Sequence, residues 1–187
     1  MARDYLKKAT LTAQSGASDV HDLVQGILSD IEIGGDDKAR EYAAKFDKFD
    51  GNIILTDAEI AAACDLVPER LKADIRFAHD NVRRFAEAQK ATISDFEYEI
   101  VPGLIAGQKS IPVDAAGCYV PGGRYAHAAS AVMSVTTAKV AGVPFIAACS
   151  PPRGESIAPA VVYAMDLSGA DMILEMGGVH AVATMVF

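Results

Sequence analysis

The feature that most narrows what this chain can fold into is the alternation of short apolar strand, turn and helical run from about residue 115 onward. Residues 118–120, 145–149 and 172–175 read as short strands bounded by turn signals, and helical runs at 128–141 and 157–167 separate them. Strands this short, alternating with helices, build a parallel sheet through right-handed crossovers. The expected class is α/β: N-terminal helices followed by a Rossmann-like parallel sheet of βα repeats, broken off after its third strand. In open sheets of this kind ligands gather at the carboxyl ends of the strands. Three loops fall there, at 121–126, 150–156 and 176–180, and form the expected cofactor rim.

The first of these loops opens with Pro121, Gly122 and Gly123. Paired glycines let the backbone approach a ligand closely, and the helix that follows offers free N–H groups to anions or polar cofactor atoms. An ordinary tight turn has the same composition. There is no G-x-G-x-x-G, so glycine spacing by itself makes no case for a nucleotide. Tyr119 ends the strand before the turn, where a phenol either packs on a cofactor ring and donates a hydrogen bond or fills the core. Arg124 is the base of this loop, suited to an anionic group of a ligand or to plain solvent. His127, at a helix start, reads as an exposed cap residue rather than an orienting group for an anionic substrate.

Charge divides the chain. Residues 1–99 hold thirteen basic and twenty acidic side chains, whereas 100–187 hold four and five. Solvated helices are expected in the first part and a buried sheet in the second, giving an N-terminal helical region at 1–95 and a first, incomplete nucleotide-binding-like α/β domain at 96–187. Ser18 is the expected N-cap of an amphipathic helix with Val20, Leu23, Val24, Ile27, Leu28 and Ile31 on one stripe, ending at Gly34-Gly35. A shorter helix carries Ala39, Tyr42, Ala43 and Phe46 on one face. Thr56 and Glu59 form a capping-box pattern ahead of residues 60–64, and Pro68 opens the longest helix, with a stripe of Leu71, Ile75, Ala78, Val82 and Phe85. From Phe96 the period drops to two: Phe96, Tyr98 and Ile100, a Pro102-Gly103 turn, then Leu104, Ala106 and Gln108 predict a hairpin, followed by an edge-like segment at 111–113.

With 187 residues, half of them hydrophobic, the chain has material for one good core or two small ones. A net charge of −8 works against a nucleic-acid backbone or an anionic bilayer as partner. Cys64, Cys118 and Cys149 are widely spaced in apolar surroundings and read as buried thiols of a reducing cytoplasm. The N-terminus lacks an apolar signal core, and no run approaches the roughly 18 apolar residues of a membrane span. A cytoplasmic location is the default expectation. His21 and His79 lie on charged helices with no second ligand at i+4 and read as surface residues. The four histidines show neither H-x-x-x-H nor H-E-x-x-H spacing, so the residues themselves supply no metal site and no complete acid–base pair.

The run Gly117-Cys118-Tyr119-Val120-Pro121-Gly122-Gly123, with Ala138-Lys139-Val140-Ala141-Gly142-Val143 after the helix and Ser150-Pro151-Pro152 after the second strand, resembles the signature region of the histidinol dehydrogenase family. The likeness extends along the whole chain, more by pattern than by identity before Phe96. Histidinol-oxidising members carry a Pro-Ser-Ser-Val-Leu-Met type of run after the glycines and a Pro before Ala-Lys-Val-Ala-Gly. This chain has residues 128–133 as Ala-Ala-Ser-Ala-Val-Met, and Thr137, and is more similar to the branch that oxidises sulfonated propanediols. The resemblance implies an NAD-dependent, zinc-containing dehydrogenase that takes a primary alcohol through an aldehyde to an acid, acting as a homodimer when full length. It implies NAD contacts at Tyr119 and the Pro121-Gly122-Gly123 turn. His180, where the family usually has a glutamine, would provide another or serve a structural role. The family's zinc ligands, its glutamate–histidine base pair and the asparagine of a cofactor loop belong to a later half and map onto no position here. Read from its residues alone, the chain is equally a non-catalytic small-molecule-binding α/β domain.

The last residues, 181–187, read as the first turns of an apolar helix with no Gly cap and no basic last turn. That ending predicts an N-terminal fragment of a longer protein.

Overall fold

The centre of the structure is a three-stranded parallel sheet, β3 (Ala115–Tyr119), β4 (Phe145–Ser150) and β5 (Met172–Glu175), in the order β3-β4-β5. The computed structural model describes residues 15–122, 125–154 and 156–187, with the backbone alone for 15–18. Register pairs Tyr119 with Cys149 and Cys149 with Leu174, so the three carboxyl ends finish at one edge. The crossovers are α4 (Ala128–Ala141) and α5 (Pro159–Ser168), both ending on left-handed glycines, Gly142 and Gly169. Cys118, Val120, Ile146, Ala148 and Ile173 point to the side of these helices and join Val132, Val135, Val161, Val162 and Met165 in the main core.

Alternation along the strands sends Cys149 and Leu174 to the opposite face. There they pack with Ala39 and Ala43 of α1 (Ser15–Tyr42) and Ala181 of α6 (Gly178–Val186). Helix α1 begins one turn ahead of the expected cap at Ser18 and runs through the glycine pair, but Gly35 is non-helical (φ 57, ψ −142) and kinks it. Positive φ costs glycine little, so the expected stop survives as a bend. Ile27 and Ile31 are buried against Ala183 of α6, while Val20 and Leu23 stay exposed. After Tyr42 the helix widens into a π-turn, Ala43–Asp47, closed by Lys48 at φ 60.

Residues 53–55, for which no strand is expected, run antiparallel along the outer side of β5. Ile54 bridges Leu174, Leu55 N–H donates to Ile173 O at 3.0 Å and Glu175 N–H donates to Ile53 O at 2.7 Å. The charged first part of the chain thus lends the sheet an edge. Helix α2 (Asp57–Asp65) starts with the expected capping box, Thr56 and Glu59 each bonding the other's backbone N–H. Helix α3 (Glu69–Lys90) packs on α4 through a stripe rotated from the expected one. Ile75, His79 and Ala86 are buried with Val82 partly so, whereas Leu71, Ala78 and Phe85 are exposed. His79 is therefore not a surface residue. His21 is exposed.

The hairpin forms as expected from β1 (Phe96–Val101) and β2 (Leu104–Gln108), with both faces exposed. The segment at 111–113 is not a strand. Cys118 and Cys149 are buried, Cys64 is half-buried, and all three are free. Among the described residues no helix is long and apolar enough to cross a membrane.

Candidate functional site

Three loops meet where the strands end. Pro151 lies between the other two, so close that a Cβ at Gly122 would run into its Cγ and Cδ, and one at Gly177 into its Cβ and Cγ. Glycine at both positions is what allows the loops to stack on Pro151. Tyr119, two residues past Gly117 on the face covered by Met185 of α6, reaches across this stack, and its hydroxyl oxygen accepts the Gly178 N–H at 3.2 Å. At 39% exposure the ring is not a core filler. It offers one side to the rim and anchors its hydroxyl at the start of α6.

His180 is placed differently. Its side chain is 3% exposed, and its Nε2 lies 2.8 Å from Asp47 Oδ2. The ring sits 5.6 Å from Phe46 and 6.4 Å from Tyr42, which stack on each other at 5.6 Å. A carboxylate can only accept here, so Nε2 carries the proton whichever charge state the ring has. The same Asp47 oxygen accepts the Gly177 N–H at 2.9 Å. Asp47 was not legible as a rim residue, since it is one acid among many in the charged part of the chain.

Pro121 is exposed and Gly122 half-buried beside Tyr119. Gly123 and Arg124 lie outside the described residues. His127 is half-buried at the start of α4 and makes no side-chain capping bond. Burial pushes the Cys149 thiol up to about 12, so it is no nucleophile at neutral pH.

On the other face of the same edge, toward α2 and α5, lies a cleft of about 850 Å³ lined by Asn52, Glu59, Arg153, Ser156 and Glu175 among others. Glu175 is 3% exposed, and its Oε1 accepts the Ile157 N–H at 2.6 Å. Burial raises its carboxyl above the usual carboxylate range, with hydrogen bonds from Ser156 and Ile157 pulling back and Glu59 pushing the same way as burial. Sequence reading passed over Glu175 because the strand pattern marks its position without telling which side it faces. Among the described residues no group of three or more His, Cys, Asp and Glu could hold a metal ion.

The family model for histidinol dehydrogenase matches residues 11–187. The chain belongs to the histidinol dehydrogenase family. It is 66% identical to sulfopropanediol 3-dehydrogenase of Ruegeria pomeroyi, over all of this chain and 43% of that protein. To histidinol dehydrogenase of Methanosarcina mazei it is 37% identical, over 92% of this chain and 40% of that one. The crystal structure of histidinol dehydrogenase from Elizabethkingia anophelis superposes with a TM-score of 0.83 at 28% identity, covering 97% of this chain and 41% of that chain. The α/β class and the family resemblance are thus borne out, and the chain spans less than half the length of these family members.

Proposed function

We propose that the chain forms the N-terminal part of an NAD-dependent dehydrogenase that oxidises a primary alcohol through an aldehyde to an acid, with a sulfonated propanediol as substrate. The observation that carries the cofactor reading is the rim itself: a half-exposed Tyr119 whose hydroxyl is tied to Gly178 N–H, beside glycines packed too tightly on Pro151 to accept a Cβ. Such a surface lets a flat ring lie on the phenol beside a tightly stacked rim. NAD, when bound, supplies the hydride acceptor. In this reading Tyr119, Pro121, Gly122 and Gly123 orient it, and His180 supports the rim from beneath, through Asp47. The identity to a sulfopropanediol 3-dehydrogenase supports the substrate class.

Zinc, which the family resemblance implies, finds no fit among the described residues, because they bring no three ligands together. In this reading the part of this chain is to bind and orient the cofactor.

Two measurements on the whole protein test this. Tyr119→Ala removes the ring and its hydroxyl and should raise KM for NAD about tenfold, the scale of 1.4 kcal/mol lost from stacking and hydrogen bonding, with little change in melting temperature. An unchanged KM would mean that Tyr119 only anchors the start of α6 and does not touch NAD. Initial rates should be higher with a sulfonated propanediol than with histidinol, and the reverse order would overturn the substrate assignment.

A further inference from the structure

We infer that Asp47 is a positioning residue of the cofactor rim, holding the Gly177-Gly178 turn against Tyr119 from outside the βα repeats. The inference rests on the reading of this edge as the NAD site. Helix α6 begins at Gly178 with Gly177 as its N-cap, and no side chain of its own caps it. Free N–H groups at a helix start need an acceptor and favour negative charge. Asp47 supplies both from 130 residues away, one oxygen accepting the Gly177 N–H at 2.9 Å and meeting His180 Nε2 at 2.8 Å. The next N–H along, that of Gly178, goes to the Tyr119 hydroxyl. Two consecutive donors are thus directed to two anchors, and moving one moves the other.

The delivery of Asp47 is specific. It is the last residue of the π-turn Ala43–Asp47, and the chain leaves through Lys48 in the left-handed region. Single π-turns in helices are rare and occur frequently at functional sites. The carboxylate is 11% exposed and its other oxygen stands 3.3 Å from where a Gly177 Cβ would be, so glycine at 177 also serves this contact. Phe46, the residue before it, covers the His180 ring. The hydrogen bonds of Asp47 go to Gly177 and His180, so it acts through the turn.

Because a single oxygen takes both contacts, the place of the acceptor outweighs the charge it brings to the helix start. The test is steady-state kinetics of the whole protein with NAD as the varied substrate. Asp47→Ala should raise KM for NAD about tenfold with kcat within about twofold, and Asp47→Asn, whose carbonyl oxygen can occupy the same place, should stay within about threefold of the native KM. Asp47→Glu keeps the charge but displaces the acceptor by one methylene, and should fall with Ala. Should Asp47→Ala fail to fold, the Asn and Glu variants decide. A native-like Glu with an impaired Asn overturns the inference, as does an unchanged KM in all three. Tyr119→Ala separates the two levels: if it raises KM and the Asp47 variants do not, the positioning role fails while the NAD reading stands. If Tyr119→Ala leaves KM unchanged, the NAD reading itself fails.

Discussion

Glu175 brings a cost of burial to the end of β5. Its carboxyl is held above the usual range chiefly by burial, so the folded state keeps its proton at a pH where the unfolded chain has already released it. Below the unfolded pKa, near 4.3 for a glutamate, both states are protonated and the residue carries no penalty. As pH rises through the ordinary range and up to the folded pKa, the unfolded state gains by ionising and stability falls. Glu175→Gln keeps an oxygen for the Ile157 N–H and removes the titration. It should therefore melt higher than the native protein at neutral pH, with the gap closing below about pH 4. Melting curves at pH 4 and pH 7 check this, and a gap of equal size at both would show that burial of charge is not the cause. The neighbouring Tyr119 shows what sequence reading does well at this scale. A tyrosine at a strand end beside paired glycines is narrowed to the rim or the core, and its exposure selects the rim. His79 shows the opposite, since charged neighbours on its helix said nothing about the partner that covers it.

At the scale of elements, local signals marked boundaries better than faces. The Thr56 and Glu59 capping box formed as read, because both bonds lie within one turn and need no tertiary partner. Hydrogen bonds with Thr56 hold the Glu59 carboxyl below its ordinary value, which is the same pairing seen as a titration. Thr56→Ala should destabilise the protein by about 1 kcal/mol, measured by denaturant midpoint at unchanged slope. A loss within error would mean that the 53–55 edge, not the cap, sets the start of α2. The stripe of α3, by contrast, came out rotated. Leu71 and Phe85 remain exposed while Ile75, His79 and Ala86 face α4. A helix with apolar residues on more than one side has several candidate faces, and packing against its neighbour selects among them. The stop at Gly35 and the helix beyond it, with Ala39, Tyr42, Ala43 and Phe46 on one face, were both readable; that the two run on as one kinked helix, with Ala39 and Ala43 against the sheet, was decided by the fold.

For the whole molecule, the division of labour proposed above makes a plain prediction: this chain produced alone should neither hold stoichiometric zinc nor form NADH from histidinol or a sulfonated propanediol. A tight zinc site needs three or more ligands converging on one point, and the described residues bring no such group together. Metal analysis of the purified chain after dialysis, with NADH absorbance, checks it; bound zinc at one per chain or measurable turnover would overthrow the division. What the sequence by itself determined is the set of pieces and their order: three strands, the helices between them, the hairpin at its turn, and the rim loops at the carboxyl edge. Each follows from interactions within a few residues, or from the handedness that a parallel crossover requires. Only the tertiary structure decided which pieces join. The bridge at 53–55 has no periodicity of its own and forms where the edge groups of β5 take backbone partners. Asp47 reaches Gly177 and His180 because a π-turn in one region meets a helix start 130 residues later, a closure that depends on the packing of α1 against α6 and leaves no local trace.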